Sequence, residues 1–202
     1  MLRSNLIARL LDDCEANDPL VVTPKPDTSE MKKKLAASVD LRLGTWFLTK
    51  KARSHPVLDI YDTKKVAPAE KSVTESYYIP FGKKFILHPR NFVLAVTLEW
   101  IRLPLDLAGM VTGKSSWGRR GLVIETAPGI HPGFTGCLTL ELTNLGEIPI
   151  SISPGMKICQ LFLHNLQGDP EKDVSCHYIG RRRPSLGTML PDEIARKLGP
   201  VT

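Results

Sequence analysis

The feature that most constrains the fold is a series of short apolar segments that begins near residue 77. Glycine- and proline-rich turns separate these segments, which span residues 85–87, 92–98, 122–124, 137–142, 148–152 and 158–163. Short strands at intervals of about 8–12 residues with regular turn signals are typical of a β-sandwich or β-barrel. A chain of 202 residues is long enough for one well-filled core. The sequence therefore predicts a single all-β domain.

The two ends of the chain carry weaker signals. Residues 4–16 have apolar side chains at helical spacing, with Ser4 as a candidate cap. Residues 18–34 form a predicted connector, residues 39–43 a strand that ends at Gly44, residues 49–76 a polar excursion, and residues 191–198 a short helix. We therefore divide the chain into an N-terminal helix and linker (1–35), a β core (36–166) and a C-terminal tail (167–202).

The net charge and the cysteines indicate which kind of partner and which cellular compartment to expect. The net charge of +6 suits an anionic partner such as a nucleotide, a nucleic acid or an acidic membrane. The cysteines, Cys14, Cys137, Cys159 and Cys176, form no CxxC pair and no zinc-type spacing. No apolar run approaches the ~20 residues of a membrane span, and the first residues do not resemble a signal peptide. We therefore expect a soluble, cytoplasmic protein.

Several kinds of catalytic site lack their motifs in this sequence. None of the histidines is followed two positions later by glutamate, as the zinc deaminase signature requires. Residues 113–115 read like the end of a P-loop, but Ala108 stands where its first glycine belongs. Trp117 likewise occupies the last glycine position of a GxSxG elbow. A zinc site, a P-loop and a serine elbow are therefore not expected.

Two features remain as candidates for chemistry. Residues 113–121 (GKSSWGRRG) place two serines, three cations and three glycines in one loop between strands, which suits contact with a phosphate chain. A surface turn with incidental charge is the alternative reading of this loop. Glu141 lies on the face of its strand opposite Leu138, Leu140 and Leu142. It is either a carboxylate held against a cleft or an ordinary solvent-facing glutamate.

Six motifs in order resemble the dCTP deaminase family of the dUTPase superfamily. They are ASVDLRLG (37–44), LHP (87–89), AVTLE (95–99), GKSSWGRRGL (113–122), IHPGFTGCLTLELTN (130–144) and PGMKI (154–158). The resemblance implies a β-barrel or jelly-roll-like (β-clip) subunit in a homotrimer, with active sites between subunits. It also implies hydrolytic deamination of dCTP to dUTP and ammonia without zinc, with Mg²⁺ bound through the substrate triphosphate.

The resemblance assigns roles to individual positions. Glu141 matches the catalytic glutamate, and Ser115 and Arg119 match the residues that orient the water and support that glutamate. Lys114 and Ser116 match positions beside the phosphates, and Ala127 matches a position in the stretch that contacts the base. These roles are expectations that the resemblance carries to this chain.

The chain departs from the family pattern at three places. His131 stands where the family usually has aspartate, which weakens a claim to dUTP hydrolysis and alters expected contacts to the sugar. Lys114 stands where arginine is common, so a planar two-pronged phosphate contact would be lost. The usual nucleotide-closing tail is replaced by residues 177–187, where Tyr178 and the basic residues Arg181, Arg182 and Arg183 are either a substitute lid over the triphosphate or a solvated basic tail.

The leading hypothesis is a dCTP deaminase that acts in pyrimidine deoxynucleotide metabolism and could also bind dUTP or dTTP. A dUTPase or a bifunctional deaminase–dUTPase is the alternative enzyme. A nucleotide-binding regulator without catalysis is the alternative from another class, motivated by His131 and the altered tail. Nucleic acid and membrane are not the expected partners.

Overall fold

The structure is a computed structural model that describes residues 1–33, 36–50, 74–125, 128–168 and 180–187. Strands dominate these residues, and the helices are short. In chain order the elements are α1 (Ser4–Asp12), β1 (Val21–Thr23), α2 (Thr28–Lys33), β2 (Val39–Lys50), β3 (Thr74–Tyr78), β4 (Phe85–Leu87), β5 (Phe92–Arg102), β6 (Leu107–Gly113), α3 (Ser115–Gly118), β7 (Leu122–Glu125), β8 (Gly129–Ile130), β9 (Thr135–Asn144), β10 (Ile150–Ile152) and β11 (Lys157–Asn165).

Among these residues nine strands form one antiparallel sheet. Seven of them follow the order β7-β9-β5-β2-β11-β6-β8, while β1 pairs with β5 and β3 pairs with β2. β4 and β10 form a separate antiparallel pair. The predicted all-β class is confirmed.

β2 makes the sheet curl, because its two halves pair with different partners. Val39–Arg42 pairs with β11, whereas the second half of the strand pairs with β5 and β3. Register shifts interrupt the ladder between Leu43 and Phe47 and again between Val96 and Trp100, and such bulges bend and twist a sheet. β6 and β11 are thereby joined to β5 and β9 as parts of one curled sheet.

The side chains of β9 alternate between the inner face and the outer face of the sheet. Buried and half-buried residues alternate strictly along the strand. Leu140 and Leu142 are fully buried, whereas Thr139 and Glu141 on the opposite face are half-buried. The predicted alternation of faces is confirmed, and Glu141 lies on the outer face.

The N-terminal region is more regular than expected. α1 ends at Asp12 rather than at residue 16, and Arg3, not Ser4, is its N-cap residue. Ser4 is buried, and its hydroxyl donates a hydrogen bond to the carbonyl of Met31. Ser4 therefore joins the two helices instead of capping the first.

The predicted connector contains two short elements. The β-branched pair Val21 and Val22 extends the sheet beside β5, and the carboxylate of Asp27 accepts hydrogen bonds from the amides of Ser29 and Glu30 at the start of α2. The prediction missed these elements because each is only three to six residues long.

The strand expected over residues 39–43 does not end at Gly44. β2 continues to Lys50 because Trp46, Phe47 and Leu48 find partners on β3 and β5. Residues 51–73, which make up most of the predicted polar excursion, and the predicted helix at 191–198 lie outside the described residues.

Leu140→Ala should lower the free energy of unfolding by about 2–5 kcal/mol, because it empties space at a fully buried position. Leu145→Ala, at a side chain that is 66% exposed, is the matched control and should change it by less than about 0.5 kcal/mol. Urea denaturation measures both. Equal effects would contradict the inner face assigned to β9.

Candidate active site

The loop at residues 113–121 forms one exposed turn between β6 and β7. Its centre is the one-turn helix α3, in which the amides of Trp117 and Arg119 donate to the carbonyls of Lys114 and Ser115. The side chains of Ser115, Ser116 and Arg119 are exposed. The structure therefore brings four of the predicted site residues, including Lys114, into a single turn.

Two hydrogen bonds attach the first half of this turn to β11. The indole Nε1 of Trp117 donates to the carbonyl of Lys157 over 2.8 Å, and the amide of Lys114 donates to the carbonyl of Ile158 over 3.2 Å. The turn is therefore fixed to the sheet at its beginning.

A second set of contacts holds the end of the turn. Gly121 has φ +86°, and a Cβ atom there would lie 2.8 Å from the amide nitrogen of Gly146. The amide of Leu145 donates to the carbonyl of Gly121 over 2.8 Å. The buried side chain of Asn144 donates to the carbonyls of Leu87 and Ile148 and accepts from the amide of Gly146. Glycine and asparagine are therefore required here by geometry.

Asp40 is the closest charged partner of the predicted phosphate residue Lys114. The ammonium of Lys114 lies 2.6 Å from one carboxylate oxygen of Asp40, and that of Lys157 lies 3.3 Å from the other. Burial alone would raise the pKa of Asp40, but hydrogen bonds and charge from the two lysines outweigh it and hold the pKa below its usual 3.8. Asp40 therefore bridges two cations as a carboxylate.

These charges line a groove of about 220 Å³. Gln160 also lines it and contacts Ser38 and Asp40 over 3.3 and 3.5 Å. Sequence reasoning gave no role to Asp40, Lys157 or Gln160, although Asp40 and Lys157 lie within the motifs that carry the resemblance. Neither spacing nor alternation shows that two distant strands bring these groups together.

A buried ion pair stands beside this groove. The carboxylate of Glu99 is 2% exposed and accepts bonds from the guanidinium of Arg42 at 3.0 Å and from its backbone amide at 2.7 Å. Burial raises the pKa of Glu99, and the contacts with Arg42 only partly oppose that shift. The pair joins β2 to β5 at the bulge where the sheet curls.

Glu141 lies elsewhere on the sheet. Its neighbours in the ladder are Leu94 on β5 and Glu125 on β7. β7 begins at Leu122, which pairs with Asn144, so Glu141 is three ladder positions, or about 10 Å, further along. Within one chain the exposed serine–arginine turn and the outward-facing glutamate therefore lie towards different ends of the β7–β9 ladder.

The other predicted site residues lie in the turn before β9, in the C-terminal tail or outside the described residues. His131 is exposed in the turn before β9, and its carbonyl accepts a hydrogen bond from the amide of Phe134. Ala127 and Tyr178 lie outside the described residues. The guanidinium of Arg181 donates to the hydroxyl of Ser185.

The two remaining arginines of the tail contact tryptophans. Arg182 lies over the ring of Trp100 at 4.8 Å, and Arg183 lies over the ring of Trp46 at 3.9 Å. Both guanidinium groups thus have aromatic partners within the chain. Their predicted contact with a triphosphate stays a prediction.

No group of three or more potential metal-ligating side chains occurs in the part of the chain that the structure describes. In the same part of the chain, no helix is long and apolar enough to cross a membrane. Cys14, Cys137 and Cys159 are free thiols.

Comparison with known proteins identifies the class to which this fold and these motifs belong. The chain is 36% identical over 148 residues to a "dCTP deaminase, dUMP-forming" of Methanobrevibacter smithii, covering 73% of each chain. It is 40% identical over 166 residues to a "dCTP deaminase" of Halorubrum lacusprofundi, covering 82% of this chain and 78% of that protein. These are nucleotide-modifying hydrolases.

The family follows from the sequence match along most of the chain. Residues 10–166 match the family model described as dCTP deaminase-like, and the chain belongs to that family of enzymes. The crystal structure of 2′-deoxycytidine 5′-triphosphate deaminase from Agrobacterium tumefaciens has the same fold, with a TM-score of 0.56 at 22% identity. That alignment covers 80% of this chain and 47% of the other. The predicted dUTPase-like fold class is confirmed.

Asp40→Asn should reduce stability at pH 7 by about 1 kcal/mol, because it removes the charge of a partly exposed ion pair. The pKa of Asp40 is lowered in the folded chain, so its contribution is present above the unfolded value of 3.8 and is lost as the pH falls below it. Urea denaturation of both proteins at pH 7 and pH 3 should show the difference shrinking. The exposed Asp106→Asn is the control, and a difference for Asp40→Asn that does not change with pH would contradict the ion pair.

Proposed function

We propose that this enzyme deaminates dCTP at C4, with Glu141 as the proton carrier. The observation that carries the proposal is the position of Glu141, half-buried on the outer face of a long internal strand, in a chain whose relatives are named dCTP deaminases. A rigid strand holds a carboxylate at a fixed position, which general acid–base catalysis needs.

One carboxylate suffices for the proton transfers of this reaction. Glu141 takes a proton from the attacking water as its oxygen bonds to C4 of the cytosine. The same carboxyl group gives that proton to ring nitrogen N3, then takes the proton of the new C4 hydroxyl and passes it to the exocyclic amine. The C4=O bond forms as the C4–N bond breaks, and ammonia leaves. Such proton transfer contributes roughly 10²–10⁴-fold to the rate. The products of this step are the uracil nucleotide and ammonia.

The exposed turn supplies the supporting groups. Ser115 would orient the water, and Arg119 would keep Glu141 ionised because a neighbouring positive charge favours the carboxylate. Lys114 and Ser116 would contact the triphosphate, which binds as its Mg²⁺ complex. Ala127 would contact the base and His131 the sugar, while Tyr178 and Arg181 are the proposed contacts from the tail. The sequence predicts Arg182 beside them, but its guanidinium lies over the ring of Trp100.

A second copy of the chain would complete the site. Ser115 and Arg119 are exposed, and the ladder sets Glu141 about 10 Å beyond the end of their turn. The outer face around Glu141 is partly apolar, since Leu94 is its direct neighbour. We therefore propose a homotrimer in which one copy offers the turn and the next offers Glu141.

The relatives favour a specific second candidate for the product. Four of them, at 35–39% identity, are named dUMP-forming, which means that the phosphate chain is also cleaved in those proteins. A relative at 40% identity is named dCTP deaminase without that qualifier, so both dUTP and dUMP remain candidate products. His131 replaces the aspartate expected for phosphate chemistry and favours deamination alone.

We further propose a cytoplasmic location and the division into linker, β core and tail at residues 35 and 166. The absence of paired cysteines among the described residues supports the location. The end of the family match at residue 166 supports the second boundary.

Purified protein incubated with dCTP and Mg²⁺ should release ammonia, and Glu141→Gln should reduce that rate by at least about 10²-fold while nucleotide binding is retained. Measuring pyrophosphate in the same reaction decides between dUTP and dUMP. Glu147→Gln, at an exposed position, should leave the rate unchanged. Wild-type protein without ammonia release would refute deamination, and an active Glu141→Gln variant would refute its role.

Co-expression of Ser115→Ala and Glu141→Gln chains, each with its own affinity tag, tests whether the site is shared between copies. Either variant alone should have little activity. Mixed trimers purified through both tags should recover about one third of the wild-type rate, because one of the three sites in each then combines an intact turn with an intact glutamate. Mixed trimers without activity would show that each chain builds its own site.

A further inference from the structure

The segment at residues 180–187, called here the arginine segment, lies along the start of β9. The amide of Gly180 donates to the carbonyl of Thr135 over 2.8 Å, and the carbonyl of Arg181 accepts from the amide of Cys137 over 2.9 Å. Arg181 forms a parallel bridge with Gly136. The backbone of the segment is thus joined to an internal strand of the sheet.

Gly136 permits this approach. Its φ is +150°, and a Cβ atom would lie 3.1 Å from the carbonyl oxygen of Arg181. Any side chain at this position would push against the arginine segment. The sheet is therefore shaped to receive the segment at this point.

The side chains of the segment add a second type of contact. Arg182 and Arg183 stack on Trp100 and Trp46, and a cation over an aromatic ring within about 6 Å is attracted by the ring electrons. Arg182, Trp46 and Trp100 line one groove of about 420 Å³ together with Cys137. Two strands, β2 and β5, thus each supply a ring for one guanidinium.

This groove lies on the same face of the sheet as Glu141. Cys137 and Glu141 are both at outward positions of β9, four residues or about 13 Å apart. The arginine segment, which is held at Cys137, therefore lies on the face of the sheet that carries the proposed catalytic carboxylate.

We propose that Arg182 and Arg183 are positioning residues that anchor the arginine segment to its own sheet, and not phosphate ligands. Trp46 and Trp100 are the other half of this anchor. The anchoring itself does not depend on the proposed reaction. The consequence for nucleotide binding does rest on the proposed function, and it is measured separately.

Hydrogen exchange of the full-length protein tests the anchor without any substrate. Arg182→Ala/Arg183→Ala and Trp46→Leu/Trp100→Leu should each speed exchange of the peptide at residues 135–138 by about 5- to 30-fold, because two cation–π contacts of moderate strength are lost. Lys83→Ala/Lys84→Ala removes the same charge from exposed positions and should have no effect. Unchanged exchange in the arginine variant, which alters only exposed side chains, would overturn the anchor.

The KM for dCTP then distinguishes whether Arg182 and Arg183 act as an anchor or as phosphate ligands. The anchor predicts that the tryptophan pair and the arginine pair raise the KM for dCTP by similar factors, with Arg182→Lys/Arg183→Lys restoring only part of the loss. A phosphate ligand predicts a larger KM in the arginine pair alone, with the tryptophan pair unchanged, and that result would overturn the proposal. If wild-type protein releases no ammonia, the proposed function fails while the exchange result still stands.

Discussion

The pairing of β5 with β9 is the interaction on which the rest of this structure depends. It joins two of the three longest strands of the described residues, and leucines such as Leu140 fill the inner face of this pair. Because side chains alternate across a strand, the same pairing places Leu94 and Glu141 side by side on the opposite face. The β5–β9 pair therefore stabilises the fold through its inner face and carries the proposed catalytic group on its outer face.

Much of this arrangement could be predicted from the sequence, because it depends on periodicity. The alternation of residues 137–143 predicts both the strand and the outward direction of Glu141, and the glycines of residues 113–121 predict an exposed turn. The ordered motifs made the family recognisable, since several weak signals in one order are far more specific than any one of them.

What the sequence could not supply are contacts between distant segments. Asp40 and Lys157 come together only because β2 and β11 pair, and Arg182 meets Trp100 only because the tail returns to β9. Ser4 was misread for a similar reason, since its role as a cap is local whereas its actual partner is Met31 on another helix. Local patterns carry no information about such pairings.

The bridge formed by Asp40 has a consequence for any anion that arrives at Lys114. The ammonium group already has a carboxylate partner at 2.6 Å, so an incoming phosphate exchanges one anion for another and does not fill an empty positive site. A single phosphate gains little from such an exchange, whereas a chain of several phosphates can engage Lys114 and Lys157 together. If Lys114 contacts the substrate as proposed, the groove beside Asp40 would favour a polyanion over the abundant small anions of a cell.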